Sequence, residues 1–130
     1  MRNTNQAFRK LIEIVKELRG EKGCPWDKKQ TVASLTKYLR EEFDELLQAI
    51  SNNDLDNMCE EAGDMMFLLV MLAEINAENK AFEIVDVIER INMKLIRRHP
   101  HVFAGVQIDD EDALRRQWLA IKAEEKSKRN

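Results

Sequence analysis

Four carboxylates of this sequence lie on the apolar side of two helical segments. With about 100° of rotation per residue, Glu42 and Glu45 share one apolar stripe, and Glu61 and Asp64 share another. The other members of these stripes are Leu35, Tyr38, Leu39, Leu46 and Ala49 in the first segment and Met58, Met65, Leu68 and Leu72 in the second. Burying several carboxylates together is costly unless they are protonated, paired with cations or bound to a metal ion. The fold must satisfy them in one of these ways, unless both groups are ordinary solvated charges.

Apolar residues recur at helical spacing along most of the chain, and no segment shows the alternation of a strand. Only 6% of the residues are aromatic and four are glycine, which argues against a sheet-rich fold with many tight turns. We therefore predict an all-α bundle of about five helices built around an antiparallel helix hairpin. The predicted helices cover residues 4–18, 32–51, 55–79, 83–98 and 110–127. Residues 24–27 and 101–105 are predicted to be loops, and residues 1–130 a single domain.

The composition excludes several classes of protein. A formal net charge of -3 gives no general attraction to nucleic acid or to anionic membranes, so neither is expected as a partner. The N-terminal residues lack the apolar region of a signal peptide, and the longest apolar run, residues 65–73, is too short to span a bilayer. Cys24 and Cys59 lack metal-ligand spacing. A reduced, cytoplasmic protein is the simplest interpretation, with one disulfide left open.

The apolar run of residues 65–73 also bears on oligomeric state. A helix that is apolar on every side must be covered all round, and one 130-residue chain covers one face readily and the opposite face poorly. We therefore expect a homodimer or homotetramer. The alternative is a monomer in which this helix is central and fully buried.

The spacing of the four acids predicts a metal site. The two acids of each pair are at positions i and i+3, so their side chains lie on one helix face. In a hairpin that turns near residues 52–54, Glu45 and Glu61 reach matching heights. A set of carboxylates without a neutral ligand favours Mg²⁺ or Mn²⁺. A di-iron bundle would need a Glu-x-x-His motif, and neither acidic pair has a histidine.

Cationic and aromatic residues follow at helical spacing near the C-terminal end. Lys94 and Arg98 are four residues apart, as are Trp118 and Lys122. Cations for a polyphosphate and a ring for a base would form a nucleotide site. Alternatively, Lys94 and Arg98 extend beside a core that Trp118 fills.

The motifs together resemble the MazG family of nucleoside triphosphate pyrophosphohydrolases, in the all-α NTP pyrophosphatase superfamily. The matching segments are Gly23-Cys24-Pro25-Trp26-Asp27-x-x-Gln30-Thr31, Tyr38-Leu39-x-Glu41-Glu42-x-x-Glu45, Glu60-Glu61-x-Gly63-Asp64, Ala73-Glu74-Ile75 and Ile91-Asn92-x-Lys94-Leu95-Ile96-Arg97-Arg98-His99-Pro100-His101-Val102-Phe103. The resemblance covers residues 8–122, the motif-bearing core of a MazG-like domain. It implies Mg²⁺-dependent hydrolysis of a ribo- or deoxyribonucleoside triphosphate to the monophosphate and pyrophosphate by a helical dimer or tetramer, a house-cleaning activity on the nucleotide pool.

The resemblance also implies residue roles. The metal ligands would be Glu42, Glu45, Glu61 and Asp64, and Glu41 would orient or deprotonate water. Among these acids the catalytic set is Glu41, Glu42 and Glu45. The phosphate contacts would be Lys94 and Arg98, and the nucleotide contacts Trp118 and Lys122. Trp26 borders the base pocket or anchors its own loop in the core.

The sequence departs from the family pattern at three positions. Val32 stands where a histidine is common, and Leu68 and Leu72 replace polar residues that many members carry. The choice of substrate therefore stays open. Alternatives are a narrower dUTP or dCTP pyrophosphatase, a phosphoribosyl-ATP pyrophosphohydrolase, or a helical module that senses nucleotides without catalysis.

Overall fold

The structure, a computed structural model, describes residues 2–129, and its regular elements over that range are all helices. They are α1 Thr4–Leu18, α2 Pro25–Lys29, α3 Val32–Ser51, α4 Leu55–Glu78, α5 Ile84–Arg98, α6 Pro100–Phe103 and α7 Glu111–Arg129. The all-α prediction is confirmed. The five long helices agree with the predicted ranges to within two residues at each end.

Two short helices lie where loops were predicted, so the prediction for residues 24–27 and 101–105 was wrong in part. α2 has five residues and α6 has four, and each begins with a proline. Proline suits the first helical position, because its fixed φ is already helical and the missing N–H has no partner there anyway. Pro100 therefore starts α6 directly after α5 ends at Arg98.

Side-chain caps fix where the long helices of the first half begin. Thr31 Oγ1 accepts a hydrogen bond from the Ser34 amide at 3.1 Å, and Ser34 Oγ accepts one from the Thr31 amide at 2.8 Å. Asp54 Oδ1 accepts a hydrogen bond from the Asn57 amide at 3.2 Å, at the start of α4. Asn53, with φ 51°, makes the left-handed turn between α3 and α4. These local features set the register of the carboxylates that follow.

The chain divides into two compact units, the first ending at Ile84 and the second beginning at Val85. In the first unit α4 packs against α3 and α1. Its core consists of Val15, Leu35, Leu68, Val70, Met71 and Ile75. In the second unit an ion-pair cluster joins α5 to α7. The assignment of residues 1–130 to one domain stays a prediction.

The apolar run of α4 is only partly covered in this single chain. Leu68, Val70, Met71 and Ala73 are buried, whereas Met66 and Leu69 are 45% and 48% exposed. On α3 the exposed apolar residues are Phe43, Leu47 and Ile50. Each helix of the pair therefore carries large apolar side chains that the described chain does not cover. None of the described helices is long and apolar enough to cross a membrane.

Candidate metal and nucleotide site

Three of the four predicted metal ligands meet in the first unit. Glu42 and Glu45 of α3 and Glu61 of α4 each offer a carboxylate oxygen, and these oxygens all lie within 4.8 Å of one another. The convergence is possible because α3 and α4 are packed together and joined by only the three residues 52–54.

Asp64 follows Glu61 by about one helical turn and is half-buried. Its oxygens are outside the group of three, yet its negative charge raises the pKa of Glu42, which puts Asp64 in the same electrostatic environment. Glu41 is exposed on α3 and is also outside that group.

The inward orientation predicted from the stripes is only partly correct. Glu42, Glu61 and Asp64 are half-buried, but Glu45 is exposed. The fully buried residues of α3 are Leu35 and Ala49, on either side of the acidic pair. The segment between them, which carries Glu45, is left partly open to solvent.

Crowding of the carboxylates shifts their protonation. A carboxyl–carboxyl hydrogen bond with Glu42, followed by burial, raises the pKa of Glu61 to about 7. Burial is also the main cause that raises the pKa of Glu42, and the charges of Glu45 and Asp64 add to it. The cluster therefore holds a proton more tightly than isolated glutamates do.

Such a hydrogen bond exists only while one of the two carboxyl groups is protonated. Among the described residues, Glu42 Oε2 and Glu61 Oε2 have no other hydrogen-bond partner, so both oxygens stay buried and unpartnered when the two groups are ionised. No lysine or arginine within residues 2–129 forms an ion pair with either group. A buried carboxylate can be stabilised by a proton, a cationic side chain or a metal ion, and for these two groups the proton and the metal ion remain. An all-oxygen donor set with buried, unpartnered acceptors fits Mg²⁺ or Mn²⁺.

The predicted phosphate and base contacts belong to the second unit. Arg98 and Trp118 both line a cavity of about 350 Å³, together with His99, Glu111, Leu114 and Arg115. Lys122 Nζ lies 4.3 Å from the centroid of the Trp118 ring, in cation–π geometry. Lys94 is half-buried on α5 and is not among the residues lining this cavity.

Trp26 lies in the first unit, on α2, and packs against the core. Its ring meets the Tyr38 ring edge-on, with centroids 5.1 Å apart. Gln30 Nε2 donates a hydrogen bond to the Trp26 carbonyl at 2.9 Å. These contacts favour the anchoring role among the two that the sequence left open.

The two leucines that depart from the family pattern are also packing residues. Leu68 is buried in the core of the first unit, and Leu72 packs against that core. Their apolar character therefore contributes to the interior of the unit, and a separate effect on base preference is not needed to explain them.

Glu125 is an ionic residue of the second unit that was not predicted from the sequence. Its carboxylate accepts hydrogen bonds from Arg97 Nε at 2.6 Å and from Arg98 Nη2 at 2.9 Å. The signal was present, because Glu125 follows Trp118 by seven residues and Ile121 by four, on the same apolar stripe of α7. Glu125 is thus an acid on the apolar stripe of its helix, as the predicted metal ligands of α3 and α4 are.

Comparison with known proteins finds the same family that the motifs resemble. The model of the MazG nucleotide pyrophosphohydrolase domain matches residues 30–103, more than half of the chain, and this range contains all four predicted metal ligands. A nucleoside triphosphate pyrophosphohydrolase/pyrophosphatase MazG of Thermotoga maritima is 46% identical over 129 residues, which are 99% of this chain and 49% of the relative. A nucleoside triphosphate pyrophosphohydrolase of Escherichia coli K12 is 40% identical over 126 residues, 96% of this chain and 48% of the relative.

An uncharacterized protein of Bacillus subtilis, YabN, is 47% identical over 120 residues, 92% of this chain and 24% of the relative. The chain thus spans about half the length of these curated relatives or less. Among solved structures, the crystal structure of a mazG-related protein from Thermotoga maritima superimposes with a TM-score of 0.73 at 30% identity, covering 88% of this chain and 98% of that one. The resemblance inferred from the motifs is confirmed, and the chain belongs to the MazG nucleotide pyrophosphohydrolase family.

Proposed function

We propose that this protein is a Mg²⁺-dependent pyrophosphohydrolase that converts a ribo- or deoxyribonucleoside triphosphate to the monophosphate and pyrophosphate. The observation that carries the proposal is the acidic cluster, in which Glu42 and Glu61 each keep a buried oxygen without a hydrogen-bond partner. Family membership supports the reaction class. The relatives named as pyrophosphohydrolases are longer proteins, so the activity of this chain is inferred from its own residues as well.

The metal ligands in this proposal are Glu42, Glu45, Glu61 and Asp64. Glu42, Glu45 and Glu61 already lie within one ligand group, and Asp64 completes the set from the next turn of α4. When bound there, Mg²⁺, or Mn²⁺ as the alternative ion, would supply positive charge beside the phosphates and make water more acidic. Glu45 is the proposed ligand that is most open to solvent.

The reaction needs a base as well as ligands. The oxygen of water forms a bond to the α- or the β-phosphorus, and the anhydride bond between these two phosphates breaks, which separates the monophosphate from pyrophosphate. Glu41 accepts the proton of the attacking water or orients that water for one of the ligand carboxylates, Glu42 or Glu45. Exposure on α3 leaves Glu41 available for this role.

The second unit supplies contacts for the nucleotide. Lys94 and Arg98 offset the negative charge of the phosphates, and Lys122 adds a third cation. Trp118 is 39% exposed at the 350 Å³ cavity, which leaves part of its ring available for stacking on a base. Trp26 is assigned to anchoring rather than to the base.

We propose a homodimer or homotetramer on the basis of the uncovered apolar residues of α3 and α4. Phe43, Leu47 and Ile50 recur on one side of α3 and are 50%, 47% and 54% exposed. Large apolar patches on a soluble protein commonly mark interfaces. We also propose a cytoplasmic location, from the two cysteines without metal-ligand spacing, and a role in removing unwanted nucleotides, from the family resemblance.

A nucleotide panel tests the proposal. Purified protein with Mg²⁺ is given each common ribo- and deoxyribonucleoside triphosphate and phosphoribosyl-ATP, and pyrophosphate release is measured. Turnover of several triphosphates supports the proposal. Turnover confined to dUTP or dCTP, or to phosphoribosyl-ATP, identifies a narrower enzyme. Binding without release of pyrophosphate with any metal would contradict catalysis and indicate a nucleotide-sensing module.

A further inference from the structure

Two arginines of α5 converge on one carboxylate of α7. Arg97 Nε donates to Glu125 Oε2 at 2.6 Å, while Arg98 donates to Oε1 from Nη2 at 2.9 Å and from Nε at 3.2 Å. The side chains of Arg98 and Glu125 are only 16% and 10% exposed. The pair is therefore held in one geometry more firmly than a surface ion pair.

The edge of the guanidinium that Glu125 occupies is informative. Nε and Nη2 form the side edge of the planar group, and Glu125 takes one N–H of each. Within residues 2–129, Nη1 of Arg98 donates to no protein group, so both its hydrogens and the second hydrogen of Nη2 remain. These remaining donors include the parallel pair at the end edge, which matches two oxygens of a phosphate.

The cavities beside Arg98 and Glu125 are different ones. Arg98 lines the 350 Å³ cavity with Trp118, and Glu125 is not among its lining residues. Glu125 and Arg97 instead line a different cavity of about 520 Å³. Arg98 thus donates to Glu125 and also borders a cavity that Glu125 does not line.

We infer that Glu125 is a positioning residue, which holds the Arg98 guanidinium by its side edge and so presents the end edge to the phosphates of the nucleotide. This inference rests on the proposed function, in which Arg98 is a phosphate contact. Because Glu125 leaves the end edge open, it does not compete with phosphate for those donors. Flanked by two guanidinium groups, it also stays ionised, since they lower its pKa to about 2.

The test measures binding and kinetics in a double-mutant cycle. Isothermal titration with inorganic pyrophosphate and Mg²⁺ is performed on wild type, Glu125→Ala, Arg98→Ala and the double variant. We expect Glu125→Ala to weaken binding about tenfold, as the loss of one charged hydrogen bond would. In the Arg98→Ala background the same change should have less than about a twofold effect, because Glu125 acts through Arg98. Hydrolysis by Glu125→Ala should show a raised KM with kcat within about twofold, whereas a loss of folded protein would lower kcat and leave KM unchanged.

Two further variants keep the test decisive. Glu125→Gln preserves the size of the side chain and one hydrogen-bond acceptor. Its binding of pyrophosphate should therefore be weakened less than that of Glu125→Ala, and it should fold normally. Glu124→Ala is the matched control, because Glu124 is the preceding residue on α7 and pairs with the exposed Lys128 instead, at 3.3 Å. It should bind pyrophosphate as wild type does.

The inference is overturned if Glu125→Ala binds pyrophosphate as well as or better than wild type, or if its effect multiplies fully with that of Arg98→Ala. In the first case the wild type still hydrolyses nucleotides, so the proposed function survives. If the wild type neither binds pyrophosphate nor hydrolyses any triphosphate, both proposals fall together.

Discussion

Glu61 and Glu125 are both glutamates on the apolar stripe of a helix, one in the first unit and one in the second. Carboxylates surround Glu61 and raise its pKa to about 7, mainly through the hydrogen bond with Glu42. Two arginines surround Glu125 and lower its pKa to about 2, with Arg98 contributing most. The same side chain therefore has no cationic partner in the described part of the first unit, whereas in the second unit two arginines balance its negative charge. The uncompensated cluster is the one that suits a catalytic metal ion.

The largest effect is expected from removing a carboxylate of the uncompensated cluster. Glu45→Ala should lower the rate of pyrophosphate release at least about a hundredfold, because the metal loses a ligand. The exposed position of Glu45 means that the fold should be retained, which circular dichroism checks. Asp44→Ala, at the exposed neighbouring position, removes the same charge and should stay near wild-type activity. Equal loss in the two variants would show that only the net charge matters.

Metal binding should distinguish the two glutamates next. With Mg²⁺ at about a hundred times its dissociation constant, mass action adds about 2.7 kcal/mol to the free energy of unfolding. Thermal unfolding should therefore show a rise of several degrees for wild type and for Glu125→Gln, and little for Glu61→Gln. Because a proton competes with the metal at Glu61, the rise should be larger at pH 8 than at pH 6. A rise that is independent of pH would argue against the cluster as the metal site.

The two glutamates should also give opposite pH dependence in the metal-free protein. Glu61 binds its proton more tightly folded than unfolded, so the free energy of unfolding should fall as pH rises from 4.5 to about 7. Glu125 binds its proton less tightly folded, so its contribution is present above pH 4.5 and is lost as pH falls towards about 2. Urea unfolding at a series of pH values should show each slope flattened by Glu61→Gln or Glu125→Gln, respectively. The environments of the two glutamates would be wrong if Glu61→Gln flattened the slope below pH 4.5 and Glu125→Gln flattened the slope above it.

The smallest effect is expected at a glutamate that neither cluster contains. Glu124 pairs with Lys128 at 3.3 Å, with side chains 68% and 77% exposed. Glu124→Ala should change the free energy of unfolding by less than about 0.5 kcal/mol, because exposed ion pairs contribute little. Urea unfolding at neutral pH measures this change. A loss comparable with that of Glu125→Ala would mean that general charge balance on α7, rather than the arginine contacts, stabilises the second unit.

Much of the fold was predictable because it depends on local spacing. The helical periodicity located the five long helices, and the structure shows that Thr31 and Asp54 cap α3 and α4. The two short helices α2 and α6 were missed, because a single turn has too few residues to show a period. The convergence of Glu45 with Glu61 could be anticipated from the short connection between their helices.

The remaining features of the site depend on distant residues. Spacing alone put Glu45 inside with Glu42, but its exposure depends on how closely other elements cover the middle of α3. Glu125 meets Arg98 across 27 positions of sequence, and no local pattern pairs them.

The sequence by itself determined which residues are helical, which faces are apolar and which acids lie on those faces, because a helix repeats every 3.6 residues whatever it packs against. Only the tertiary structure decided how far each acid of α3 and α4 is buried, and that the acid of α7 meets two arginines. The physical reason is that the ionisation and partners of a buried carboxylate depend on the charges within a few ångströms of it, and packing between helices brings those charges together.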